Sequence, residues 1–209
     1  DLLQRMIKAN DERVNVLLTS SKQTYGRGIG KELACVAAAY VTATSRYFHK
    51  RELITLMEQI LDILKNSQSD DGTLNFGNLE SPPDTGFLLE PVTAAASILL
   101  KDGSDDVIGI NATLKSFIQK ASEGLITGGV HTPNHRWVVC AALAKINKLY
   151  PDERMVNRID EWLAEGIFMD ADGHYPERSQ NYAVVENNSL ITLARMLGKK
   201  ELLDPVRRN

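Results

Sequence analysis

The sequence predicts an all-α protein built from four αα-hairpins, each pairing an amphipathic outer helix with an apolar inner one. Three observations carry this reading. Apolar residues recur at helical spacing in several segments, with charge on the opposite side. Between those segments lie helical stretches of small apolar residues with no wet face, which must be covered on most sides. The two kinds alternate at near-constant spacing along all 209 residues, the mark of a repeat architecture. No period-two alternation of strand-forming residues interrupts them.

The elements follow in order. Residues 1–18 open the chain as an outer-type helix, and the first inner helix, 33–44, carries Leu33, Val36, Ala37, Tyr40 and Val41. Residues 51–66 place Leu53, Leu56, Met57, Ile60, Leu61 and Leu64 on one stripe. The inner helix 92–100 is followed by the outer segment 105–121, with Val107, Ile110, Leu114, Phe117 and Ile118. A third inner helix, 137–146, runs from Trp137 through Cys140, with Trp137 read as core. The outer stripe of 152–165 holds Met155, Val156, Ile159, Trp162 and Leu163. The last inner segment, 183–197, is interrupted by Glu186, Asn187 and Asn188. With Gly30, Asp84, Asn134 and Tyr182 as approximate inner-helix starts, the spacings are 54, 50 and 48 residues. The hairpins consume 1–209 as a single domain.

Inner helices surrounded by outer ones form either an open α-solenoid or an α/α toroid. The joins before the inner helices, 67–83, 123–133 and 166–181, are long, whereas the opposite connections are short, as at 149–151. Long loops at one end of a rigid helical scaffold are where sites are built. A toroid gathers such loops around a central funnel, so the toroid is favoured.

Composition narrows the function. The 24 Lys+Arg against 27 Asp+Glu leave a net charge of −3, which disfavours a nucleic-acid partner. No apolar run approaches the roughly 18–20 residues of a membrane span. Cys35 and Cys140 lie in apolar helical runs and read as inert core thiols. Neither these thiols nor the four histidines have metal-ligand spacing, so no metal or cofactor is implied. The run Arg27-Gly28-Ile29-Gly30-Lys31 lacks the full glycine spacing of a phosphate loop. The chain opens at Asp1 without a signal-peptide pattern, which leaves the compartment unnamed.

Loops 70–87, 128–137 and 170–182 each combine a turn glycine with a proline ahead of a helix. Each delivers polar side chains into the first turn of an inner helix. Three of the four histidines, His131, His135 and His174, fall in the second and third loops, beside Arg136, Arg178, Tyr175 and Tyr182. Converging loops would make an electropositive pocket with titratable imidazoles and phenols. His135 opens a helix whose next turn is apolar, so it faces the funnel; His131 and His174 taken singly read as surface residues. Asp84 is either a helix cap or a funnel residue touching substrate hydroxyls. Glu177 is a salt-bridge partner, a ligand contact or an exposed carboxylate.

Asn134-His135 at an inner-helix start, followed by Asp172-Gly173-His174-Tyr175 and Ser179 to Tyr182, resembles the α/α-toroid domain of polysaccharide lyases of the heparinase II/III and alginate-lyase type. The resemblance spans most of the chain in repeat pattern; its specific part is Asn134-His135 and 172–182. It implies an acidic, uronate-containing polysaccharide as substrate and β-elimination as reaction. Asn134 and His135 would neutralise the uronate carboxylate and Tyr182 would act as base and acid, with Tyr175 competing for that role. Asp84, His131, Arg136, His174, Tyr175, Glu177 and Arg178 would bind substrate. The residue types suit the chemistry, because the proton at C5 becomes acidic only once the neighbouring carboxylate is neutralised. A Tyr needs a cationic neighbour to act as base near neutrality, a task open to Arg136, Arg178 or His135.

The resemblance further implies a ring of more than four hairpins, so part of it is missing or open. It implies a C-terminal β-rich domain that this chain lacks, making 1–209 a fragment of a longer enzyme with that domain as partner. A periplasmic or secreted bacterial enzyme is expected by the same analogy. Two alternatives stand beside the lyase. A toroid glycoside hydrolase would use the carboxylate pair Asp84 and Glu177, with Asp172 in reserve. A non-catalytic carbohydrate-binding helical repeat would show loops that splay apart.

Overall fold

The amphipathic segments become one layer of helices and the apolar segments another. The computed structural model describes residues 1–20, 26–77 and 79–209, so Asn78 of the first loop lies outside the described residues. In chain order the helices are α1 (Leu2–Thr19), α2 (Gly28–Val41), α3 (Arg51–Asn66), α4 (Pro82–Asp102), α5 (Ile108–Thr127), α6 (Pro133–Leu149), α7 (Glu153–Ala164), α8 (Gln180–Leu197) and the short α9 (Leu203–Arg208). Tight 3-10 turns precede α5 and α9. No strand occurs among the described residues; isolated bridges joining Gln68, Leu74 and Ser81 close the loop ahead of α4.

The even-numbered helices α2, α4, α6 and α8 form a row in which each packs on the next. The outer helices α3, α5 and α7 pack on one another and on the inner helices they precede or follow. Among the described residues α2 and α8, the two ends of the row, share no comparable packing. Leu33, Val36 and Tyr40 of α2, Leu88, Val92 and Leu99 of α4, and Trp137 and Leu143 of α6 are essentially inaccessible. The stripe of α3 meets them from outside, with Leu53, Met57, Ile60 and Leu64 fully covered. Burial pushes the Cys140 thiol up to about 12, which keeps it protonated and inert.

Inner-helix starts lie within two residues of the sequence estimate, and each real start is the earlier one. Capping residues and prolines that read as loop form the first turn. Ser81 Oγ accepts from the Asp84 N–H and Pro82 and Pro83 fill the first positions of α4, so Asp84 is not the cap. Ser179 Oγ serves the Tyr182 N–H in the same way at α8. The second loop is shorter than expected: α5 continues to Thr127, so Glu123 is helical and only 128–132 connect α5 to α6. Gly30 is the close-approach point of α2 and α4. A Cβ there would sit 2.9 Å from the Leu88 carbonyl oxygen and 3.1 Å from Pro91 Cγ.

Candidate active site

The N-terminal ends of the inner helices enclose a cleft of about 720 Å³. Arg27 reaches it from the residue before α2, Asp84 and Phe87 from α4, His131 from the short loop, Asn134 and His135 from α6, and Tyr182 from α8. Thus five of the residues singled out in the sequence (Asp84, His131, Asn134, His135 and Tyr182) share one cavity. Parts of the first and second loops meet there at the start of α8, whereas residues 174–179 of the third loop line a separate cleft.

His135 stands at the centre of a ring cluster. The His131 ring meets it edge-on at 5.4 Å between centroids and Phe87 does so at 6.1 Å. Burial, reinforced by His131, holds the His135 imidazole below its ordinary range, while Asp84 and Glu177 pull it back. It is therefore a neutral ring at neutral pH. Its Nδ1 is buried without a partner, and the residue lines the cleft. Arg27 lies over Phe87, with 5.1 Å from guanidinium carbon to ring centroid, and forms a 3.1 Å ion pair with the nearly covered Asp84. The expected electropositive pocket is accordingly closer to balanced among the described residues, because Arg27 meets a carboxylate. Tyr182 is about half exposed, at 48%.

Asn134 departs from the role the sequence suggested. It is buried, and its Nδ2 donates to Glu177 Oε1 at 2.6 Å while its backbone N–H donates to the same oxygen at 3.2 Å. The amide NH₂ expected to meet a substrate carboxylate is already engaged. The Glu186 carboxyl of α8 lies beside Glu177, and Glu177 Oε2 and Glu186 Oε1 are both buried without a partner.

The remaining candidates lie elsewhere. Arg136 is turned away from the cleft: its guanidinium lies over Trp137 at 4.4 Å and donates to Glu165 at 2.6 Å and to the Gly166 carbonyl at 3.1 Å. One residue is a 100° step around a helix, so a neighbour of a cleft-facing His135 faces α7. His174, Tyr175, Glu177 and Arg178 line a second cleft of about 380 Å³, which Tyr182 borders from its other side. Within it the Tyr175 hydroxyl donates to Asn187 Oδ1 at 2.7 Å, and burial pushes its pKa up to about 12. Such a phenol makes a poor base, so Tyr175 does not compete with Tyr182. Arg178, at φ 45°, is tied to Asp170 at 2.6 Å.

Sequence reasoning missed Arg27, Phe87 and Glu186. Arg27 caps α2 three residues before Gly30, the position the repeat matches to Asp84, Asn134 and Tyr182, so the repeat spacing alone does not single it out. Among the described residues no group of His, Cys, Asp and Glu is arranged to hold a metal ion, and no helix is long and apolar enough to cross a membrane. The chain matches no protein-family model and no curated protein.

Proposed function

We propose that the larger cleft binds a uronate-containing acidic polysaccharide and cleaves it by β-elimination, in an arc of helices that is part of an α/α toroid. The observation that carries this reading is the shared cavity of His135 and Tyr182, one on each of two adjacent inner helices. Removing the C5 proton of a uronate creates an enediolate, and catalysis rests on donors placed where that charge develops. His135, neutral and lining the cavity, supplies one such donor through its ring N–H. Arg27 lines the same cleft, with its charge shared with Asp84. The Tyr182 side chain takes the C5 proton as phenolate, and the phenol so formed gives that proton to the leaving 4-linked oxygen. Asn134 fixes the first turn of α6 and leaves direct carboxylate contact to His135.

The hydrolase alternative needs a free acid and base on either side of the bond. It is less well supported, because Asp84 is paired with Arg27 and Glu177 is spent on Asn134. The test is a screen of uronate polymers for the unsaturated product, which absorbs in the far ultraviolet. Wild type is expected to form it, and His135→Ala and Tyr182→Phe to lose it with helical content unchanged. Activity that survives both variants but vanishes in Asp84→Asn and Glu177→Gln, without the chromophore, would establish the hydrolase instead.

A further inference from the structure

Glu186 lies on α8 one turn beyond Tyr182, and 1% of it is accessible. Beside it lies Glu177, in the turn that leads into α8. Glu177 Oε1 accepts both the backbone N–H and the side-chain Nδ2 of Asn134. The oxygens Glu177 Oε2 and Glu186 Oε1 are buried with no hydrogen-bond partner. Glu186 is buried and Glu177 Oε2 is out of water, so ionising both of these neighbouring carboxyls carries a penalty. One proton between them removes the repulsion and satisfies both oxygens.

We propose that Glu186 is a positioning residue of the cleft: its carboxyl proton, donated to Glu177, locks Glu177 onto Asn134 and so fixes the helix start that presents His135. The chain of contacts runs from α8 through the preceding turn to α6, and thus joins the helix bearing Tyr182 to the helix bearing His135. The inference adds a control element to the site described above and takes from that reading only the identity of the cleft.

Burial and Glu177 together raise the Glu186 pKa to about 8, and Glu177 is held below the ordinary carboxylate range by its donors despite its own burial. The other groups facing Glu186 are Arg136 on α6, which favours its charged form, and Tyr175 in the preceding turn, whose phenol feels its charge. Arg136 is occupied by Glu165 and Gly166 and does not neutralise the pair. The sign follows from the raised value. The stabilisation from this proton is complete below the ordinary Glu value of 4.5 and is lost as pH rises through about 8. Above that, two buried negative charges face each other and the hold on Asn134 is released.

The test follows the Asn134 side-chain amide and the His135 ring of the full chain by NMR between pH 6 and 10. In wild type both signals are expected to move together with a midpoint of about 8. Glu186→Gln carries a permanent N–H donor, so its signals should stay at the low-pH position throughout. Glu186→Ala removes both the donor and the opposing charge, so its signals should show no transition in this range. A wild type without the transition, or a Glu186→Gln protein that retains it, overturns the proposal, and this second comparison decides even where Glu186→Ala does not fold. Lyase turnover, where present, should lose kcat/KM through the same midpoint in wild type but not in Glu186→Gln. A chain inactive on every polymer that still shows the NMR transition sinks the proposed reaction and supports the positioning role.

Discussion

His135 shows how much a single ring's chemistry depends on which neighbours the fold supplies. An imidazole on open loop would titrate near its reference value of 6.5; packed against Phe87 and His131 it is held below that. Removing Asp84's charge takes away a group that favours the imidazolium and frees Arg27, which opposes it, so Asp84→Asn should lower the His135 pKa further. His131→Gln should raise it, by removing a competing positive charge. Histidine side-chain NMR titrations measure both, and equal values in the two variants would contradict this account of the cluster. The same depressed value means that His135 supports the fold above its unfolded value and withdraws that support as the medium is acidified through its folded value. His135 was legible in the sequence because it opened an apolar helix. Asn134 was legible as a position but not as a role, since the carboxylate that takes its NH₂ lies 43 residues away in sequence. Glu186 was visible only as an interruption of an apolar run. Nothing local says that such a carboxyl will find a second one.

Element by element, periodicity located the helices well because an amphipathic stripe is an average over many residues. Residues 51–66 were read from the stripe alone and form α3 with those bounds. Ends were read less well, because they depend on single contacts: Pro82 and Pro83 belong to the α4 helix they seemed only to precede, and α5 runs six residues past the segment read as its extent. What a stripe cannot show is how closely two helices approach. At Gly30 the α2–α4 contact is set by the absence of a side chain. Gly30→Ala should therefore destabilise the protein by about 1–3 kcal/mol through overpacking. Gly109 is the internal comparison, exposed on α5 with open space where a Cβ would go. Gly109→Ala should be neutral or stabilising by up to about 1 kcal/mol, as helix propensity dictates. Urea unfolding of the two variants gives both values, and similar losses from both would show that backbone propensity and not helix approach governs Gly30.

For the molecule as a whole, an open row of hairpins is unequal along its length. In a repeat array each unit is stabilised chiefly by its neighbours, so internal units hold longest and terminal ones open first. The helices α4 and α6 each have an inner neighbour on both sides, whereas α1 packs mainly on α2. Its first turns are barely covered: Leu2, Leu3 and Met6 are 60–64% exposed, and only Asp11 and Val14 of the helix are buried. Asp11 is the anchor, accepting from the Ser45 hydroxyl at 2.6 Å and from the Arg46 backbone N–H at 3.0 Å. Amide exchange should consequently be fast over residues 2–9, intermediate over the rest of α1, and slowest in α4 and α6, where opening requires global unfolding. Asp11→Ala should extend fast exchange to the whole of α1 while α4, α6 and α8 keep their protection, because those three helices, which carry Asp84, His135 and Tyr182, share no comparable packing with α1. Uniform protection along the wild-type chain, or loss of protection in α6 on replacing Asp11, would mean that the hairpins fold as one indivisible unit and that the site has no independence from the end of the row.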